Sequence, residues 1–392
     1  MQIFSRSTFH RSMTVSLIQD ESSAAEVANA LAAADQFALD LEAAGFHRYS
    51  DRLCLIQVST RERTWVLDPL SLDARELLKE PVEDPNTLTV MHGADFDLRL
   101  LDRDLDLRLR GLFDTQVAAS LLGEPAIGLA SLLEKHLEVR LSKKHQKADW
   151  AKRPLPDDML HYAAADTRHL LELADILARK LEREDRVRWA LSECREMETI
   201  RWEDTTDDDP VASVKGAADL DPRELERLRE ALEWRDEIAR DRDRAPFRVA
   251  GDKALLDVAV TRPRTPDELN RLGGISKRIL GERGEDLLRR LDRADQRPES
   301  EIRPHPPIPR GSGRPPPDVE ARMRRLKSAR NQRAAELGID RGTLLPNATL
   351  EEIARAVPGS RDALAQVPGV KEWQVEAAGD RVLSVLSNEE AA

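Results

Sequence analysis

Apolar positions along the chain fall into two regimes. Up to about Trp202, short apolar runs bounded by polar residues are mixed with stretches of helical spacing; from about Asp221 onward only the helical spacing remains. Phe37–Leu41, Leu53–Ser59 and Thr64–Leu67 are compact, apolar and flanked by polar or turn residues, which predicts strands. Three strands so closely spaced predict an antiparallel meander. Leu88–Met91 predicts a further strand, ended at His92-Gly93. From Asp95 to Leu105 the positions of Phe96, Leu98, Leu100 and Leu101 take helical spacing. Asp114-Thr115 ahead of Val117–Leu122 reads as a helix start, and Pro156-Asp157-Asp158 opens a helical pattern that reaches Leu181. Strands first, then strands alternating with helices, imply an α/β domain: a mixed sheet with flanking helices.

Two breaks divide the chain. Glu203–Pro210 (EDTTDDDP) is acidic and is expected to be structureless. Arg297–Pro317 is rich in proline and is expected to be an extended linker. The expected organisation is a disordered leader (1–15), an α/β domain (16–202), an acidic linker (203–220), a helical domain (221–296), a Pro-rich linker (297–317) and a second all-α domain (318–388). The two helical blocks resemble each other. LGGISKRILGERGEDLLRRL (Leu272–Leu291) aligns without gaps on VPGVKEWQVEAAGDRVLSVL (Val367–Leu386), matching Gly274 with Gly369 and Gly284 with Gly379. Upstream, WRDEIARD from Trp234 resembles RNQRAAEL ending at Leu337. Matched glycines and apolar positions at constant offset signal a repeat.

Composition narrows the class. The 392 residues give room for two or three domains, and 34% are charged. No apolar run has the length a transmembrane helix needs. Met1–Met13 carries Arg6, His10 and Arg11 without an apolar segment, which argues against a secretory signal and leaves Met13 as an alternative start. Cys54 and Cys194 have neither zinc spacing nor a disulfide framework, and both are expected to be structural, in a reduced, cytoplasmic compartment. The net charge of −12 by itself speaks against a polyanionic partner, but binding depends on local patches and on cations held at acidic sites.

The candidate chemistry lies in the first regime. Asp40 and Glu42 flank Leu41 in a predicted strand, so both carboxylates point to one face. Burying such a pair is costly without a cation, and Mg²⁺ or Mn²⁺ would offset the cost. Asp97 lies in the first turn of a predicted helix, where an acid also suits the helix dipole; Asp95 is the expected cap. Tyr162 and Asp166 are one helical turn apart and share a face, with alanines between them that permit close packing. Each acid alone has an ordinary structural explanation. Four together, from a strand, a helix start and a later helix, are the donor set of a two-metal phosphodiesterase site.

The segments FALDLEAAG, HGADFDLRLL, FDTQVAASLLG and DWAKRPLPDDMLHYAAADTRHLLEL resemble, in order, the motifs of the ribonuclease D family, DEDD exonucleases with a tyrosine in the third motif. The resemblance implies an RNase H-like fold and two helical HRDC domains downstream. It implies two divalent metal ions held by Asp40, Glu42, Asp97 and Asp166, with Tyr162 hydrogen-bonding the attacking water. The implied reaction is hydrolytic 3′-5′ shortening of RNA to 5′-mononucleotides, in 3′ maturation of tRNA precursors or other small structured RNA. Asp114 matches a recurrent family aspartate, although helix capping explains it equally well. Ala43 and Ala44 depart from the family, which has a large aromatic there, and leave the grip on the 3′ base to Phe46 or to nothing. The competing expectations are a 3′-5′ DNA exonuclease and a catalytically silent RNA-binding scaffold; the complete acidic set argues against the scaffold. No GxxxxGK[ST] loop is present, which excludes a helicase motor of that kind.

Basic residues cluster between the second and third acidic motifs: Lys143, Lys144, Lys147 and Arg153, with Trp150 among them. They form either a strip for the RNA backbone or a solvated loop, with Trp150 expected in the core. Arg324 and Arg325 belong to a basic helix that also carries Arg322, Lys327, Arg330 and Arg333. RNA contacts are expected at Phe46, Lys143, Lys144, Lys147, Arg153, Arg324 and Arg325, in a monomer.

Overall fold

A computed structural model describes residues 15–204, 209–307 and 315–387. The expected leader lies outside the described residues except for Val15, which opens the first strand. The strands are β1 (Val15–Ile18), β2 (Gln36–Ala43), β3 (Leu53–Ser59), β4 (Thr64–Leu67), β5 (Leu88–Met91) and β6 (Leu112–Asp114). They form one mixed sheet in the order β1-β4-β3-β2-β5-β6. The expected meander is present: β2–β3 and β3–β4 are antiparallel, while β1–β4, β2–β5 and β5–β6 are parallel. Neither β1 nor β6 was anticipated, because segments of four and three residues are too short to show a period.

The helices of this domain are α1 (Glu21–Ala32), α2 (Ala74–Glu83), α3 (Asp95–Leu105), α4 (Thr115–Leu121), α5 (Leu129–Leu137), α6 (Asp157–Arg168), α7 (Leu170–Arg183) and α8 (Val187–Met197). Alternation along β2 decides what each face carries. Phe37, Leu39 and Leu41 pack with Leu31, Leu78, Leu100 and Leu101 of α1–α3. Ala38 belongs to the opposite core, with Leu133 of α5 and Leu173 and Leu177 of α7. The single helix expected from Pro156 to Leu181 is two helices, because the chain turns at His169 (φ −110, ψ 7). The turn lets α6 lie over β2–β4 while α7 packs against α4 and α5. Asp95 is not the cap of α3: it is the first helical residue and pairs with Arg99, and Ala94 stands at the cap without a side-chain bond.

Of the acidic run, residues 205–208 lie outside the described residues. From Pro210 the chain is folded in two 3₁₀ turns, Pro210–Ser213 and Ala217–Asp219. These bury Val211, Val214 and Ala217 in the core of the first helical module. That module has helices Pro222–Asp241, Pro246–Val249, Asp252–Thr261, Pro266–Leu272 and Lys277–Gln296, and the second repeats the order with Pro317–Leu337, Arg341–Leu344, Asn347–Ala356, Arg361–Ala365 and Glu372–Ser387. The matched glycines take matched places. Gly274 and Gly369 both have φ +78, a left-handed geometry that favours glycine. Gly284 and Gly379 lie against Leu269 and Leu364.

The second module shares a core with α4, α5, α7 and α8. Trp189 and Trp373 stack at 5.0 Å, and Trp373 Nε1 donates to Glu193 at 2.6 Å. Lys371 pairs with Glu193 and Glu196, and Arg186 donates to the carbonyls of both Leu121 and Leu337. Gly123 is required here: a Cβ on it would lie 1.7 Å from the Gly338 carbonyl oxygen.

Candidate active site

Asp40 and Glu42 project from the β2 face that α6 covers. Their register partners on β3 are Gln57 and Leu55, and the ladder slips between Glu42 and Ala43, a bulge of the kind that re-aims side chains near active sites. Ala163 and Ala164 of α6 are fully buried against Cys54, Leu55 and Val66. These small residues bring the helix down until the Asp166 carboxylate meets the strand pair. Ligand atoms of Asp40, Glu42 and Asp166 all lie within 4.8 Å of one another. Asp97, 8% exposed on the first turn of α3, is close enough for its charge to act on Asp40 and Glu42.

The electrostatics follow from that crowding. Burial, then repulsion from Asp97, Asp166 and Glu42, raises the Asp40 carboxyl well above its ordinary range. Glu42 is raised by burial, then by Asp166 and Asp97. Burial and Asp114 push Asp97 up to about 8, and burial pushes Asp166 up to about 6. Among the described residues, no lysine, arginine or histidine pairs with any of the four. Two carboxylates buried elsewhere in the fold do have a cation: Asp68 pairs with Arg153 and Asp175 with Arg61. An all-oxygen, uncompensated donor set fits hard divalent cations, which would restore the ionised form of each acid.

Tyr162 stands one turn before Asp166. Its phenol is pushed up to about 12 by burial and by the charges of Asp166, Glu42 and Asp40. His145 contacts its ring edge-on at 5.7 Å and Trp150 at 6.0 Å. Tyr162 and Asp166 line a cavity of about 550 Å³ together with Lys144, His145 and His161. Glu42 opens on a second cleft, of about 600 Å³, toward Phe46.

Two supports for these acids were beyond the reach of sequence reasoning. A chain of hydroxyls, Thr167 to Ser59 to Thr64 with both contacts at 2.8 Å, fastens the residue after Asp166 to β3 and β4. Asp114 is more than a helix cap. Its Oδ1 accepts from Gln116 N and Val117 N, and its Oδ2 accepts from Ala94 N at 2.8 Å, which ties the start of α3, and so Asp97, to β6.

The 3′-5′ exonuclease family matches residues 15–182, and the HRDC domain matches twice, over 224–291 and 319–386. Ribonuclease D of Pseudomonas paraeruginosa is 28% identical over 378 residues, covering 95% of this chain and 97% of that one. The crystal structure of the RRP6 catalytic core from Trypanosoma brucei is 30% identical with a TM-score of 0.63, covering 73% of this chain and 80% of that one. The crystal structure of Escherichia coli RNase D, 26% identical, superimposes with a TM-score of 0.69 over 96% of this chain and 99% of that one. The chain belongs to the ribonuclease D family. In this member of the ribonuclease D family the exonuclease domain is followed by two HRDC modules.

The expected RNA contacts of this ribonuclease D-family chain separate into four groups. Arg153 is a structural residue, which corrects the expectation: its guanidinium pairs with the buried Asp68 and donates to the carbonyls of Cys54, Trp150 and Lys152, leaving it none to spare for RNA. Lys144 pairs with Asp158 at the rim of the cavity beside Tyr162. Phe46 is 37% exposed, with the Lys147 ammonium 5.4 Å from its ring centre. Lys143, Arg324 and Arg325 are exposed on the surface. Within the basic helix, Arg330 and Arg333 turn inward to the carbonyls of Leu345 and Ala377. Trp150 is buried, as expected, with 2% exposure.

Proposed function

We propose that Asp40, Glu42, Asp97 and Asp166 hold two divalent cations, Mg²⁺ or Mn²⁺, and that RNA is shortened there from its 3′ end. The chain is a hydrolytic 3′-5′ exoribonuclease, and the observation that carries the reading of the site is the crowding of the half-buried Asp40, Glu42 and Asp166 with the buried Asp97, without a cationic partner among the described residues. Bound divalent cations supply activation of water and stabilisation of the charge on the attacking and leaving oxygens. Tyr162 keeps its proton at neutral pH, so it orients the attacking water by hydrogen bonding and does not act as the base. Ser59, Thr64, Thr167 and Asp114 hold the acids in register, which conserves the orientation that hydrolysis requires. The product is a 5′-mononucleotide.

The substrate is a small structured RNA such as a tRNA precursor, in the cytoplasm, and the protein acts as a monomer. The relative from Escherichia coli is described as an exoribonuclease involved in structured RNA processing, and two HRDC modules beside the exonuclease domain are suited to holding a folded RNA while its tail is trimmed. Among the described residues no helix is long and apolar enough to cross a membrane. The test is digestion of a 3′-extended tRNA and of a matched DNA oligomer in Mg²⁺ or Mn²⁺ by the wild-type chain and by Asp40→Ala. Stepwise shortening of the RNA that vanishes in the variant is expected. Undiminished activity in Asp40→Ala refutes the site, and preferential digestion of DNA refutes the substrate.

A further inference from the structure

The second cleft, which opens beside Glu42, is built from two domains. Its walls include Phe46 from the β2–β3 loop, Phe96 from the first turn of α3, and Pro246 and Phe247 from the first HRDC module. The chain has seven phenylalanines. Phe4 and Phe9 lie outside the described residues, and Phe37 and Phe113 are buried in the core. The other three all line this cleft, with exposures of 37% for Phe46, 46% for Phe96 and 52% for Phe247. Exposed apolar side chains scattered singly need no explanation; gathered in one concave site they do. Folding leaves these rings in water although buried apolar surface is available elsewhere for Phe37 and Phe113.

The cleft is held in shape. Ala245 N donates to the His47 carbonyl at 3.1 Å, and Arg248 Nε donates to the Phe46 carbonyl at 2.7 Å. Arg48 bridges Asp149 and Asp243. These contacts fasten the HRDC module to the loop that carries Phe46, and they set the Phe46 and Phe247 rings 5.5 Å apart. The charged residues of the lining itself are the acids Glu42 and Asp51, but two cations stand beside the Phe46 ring at its edge. The Arg248 guanidinium lies 4.7 Å from the Phe46 ring centre and Lys147 lies 5.4 Å from it. Neither has a carboxylate partner among the described residues, in a chain where most arginines are paired. Exposed aromatic faces beside unpaired cations are the chemistry of single-stranded nucleic-acid binding, in which bases stack and phosphates meet the charges. Continuity with Glu42 places that chemistry at the acidic site.

We propose that this interdomain cleft binds unpaired RNA next to the scissile bond, with Phe96 and Phe247 as stacking faces for nucleobases and Lys147 and Arg248 as phosphate contacts. The first HRDC module thereby completes the substrate site. The proposal rests on the exoribonuclease reading for its substrate, but its test does not depend on hydrolysis. A ten-nucleotide RNA carrying 2-aminopurine near its 3′ end is titrated against the full chain with Ca²⁺ in place of Mg²⁺, and KM is measured for the same RNA in Mg²⁺. Wild-type protein is expected to quench the probe. Phe247→Ala and Phe96→Ala are each expected to lose quenching and to weaken binding and raise KM about tenfold. Phe247→Trp, which keeps a stacking face, is expected to retain both. Unchanged quenching and KM in both alanine variants would overturn the proposal, as would a tryptophan variant that behaves like alanine. Quenching that depends on Phe247 in a protein unable to shorten RNA would support the cleft and sink the exoribonuclease reading instead.

Discussion

Asp166→Asn should make the metal-free chain more stable while abolishing its activity. Asn keeps the shape of the side chain and removes the charge. Burial raises the Asp166 carboxyl from an ordinary 3.8 to about 6. A group raised in the folded state contributes stability that is fully present below its unfolded value, near pH 4, and lost as pH rises through about 6. Its ionisation at pH 7.5 therefore costs the folded chain about 3 kcal/mol, taken as an upper bound because solvent reaches the cluster from two clefts. In EDTA at pH 7.5, Asp166→Asn should melt roughly 5–10 °C higher than wild type, and the gap should close as pH falls toward 4. With Mn²⁺ the gap should narrow. The wild-type site gains about 3 kcal/mol at a hundredfold excess over its dissociation constant, and the variant, having lost a donor, gains less. The measurement is a set of melting curves by circular dichroism across pH 4–8, with EDTA and with Mn²⁺, beside an RNA-shortening assay. A variant less stable than wild type in EDTA at pH 7.5 would refute the claim that these carboxylates are crowded and uncompensated.

Tyr162→Phe should lower kcat by about 10- to 100-fold without changing the shape of the pH–rate profile between pH 6 and 9, because a phenol held near 12 does not titrate there; a step that disappears in the variant would show Tyr162 acting as a base. Arg153→Ala should cost about 3 kcal/mol, by exposing the buried Asp68 to an incomplete set of partners, and leave RNA affinity within about twofold, measured by denaturant unfolding and by filter binding. Asp114→Ala should cost about 2–3 kcal/mol by orphaning Ala94 N, Gln116 N and Val117 N, and should also reduce Mn²⁺-induced stabilisation by loosening Asp97. Gly123→Ala should release the second HRDC module, read as a larger radius of gyration in small-angle scattering, since the added Cβ has no room beside Gly338.

Much of the fold was legible where one residue pattern meets one partner. The meander of β2–β4 followed from apolar runs with polar ends, and Asp95–Leu105 and the start at Thr115 carried clear helical signals. The acids were legible only as an ordered set, since each alone suits an ordinary strand end or helix start. Less legible was everything that depended on contacts distant in the chain. Arg153 and Arg330 looked like surface cations, because their buried acceptors, Asp68 and the Leu345 carbonyl, come from other parts of the chain. The break at His169 was hidden because helical spacing continues through it, and only the different partners of α6 and α7 reveal it.

The sequence by itself determined which residues share a face: Asp40 with Glu42, and Tyr162 with Asp166. Those relations depend only on the repeat of a strand and of a helix, and they hold in any fold that keeps the elements. Tertiary structure alone decided that the two faces meet, because the approach of α6 to β2 depends on Ala163 and Ala164 packing against Cys54, Leu55 and Val66. It alone decided that the second HRDC module is docked, through Trp189 and Trp373. And it alone brought Phe247 to Phe46 across 201 positions of chain, since burial and close contact are properties of the whole packing and leave no periodic trace in a local stretch of residues.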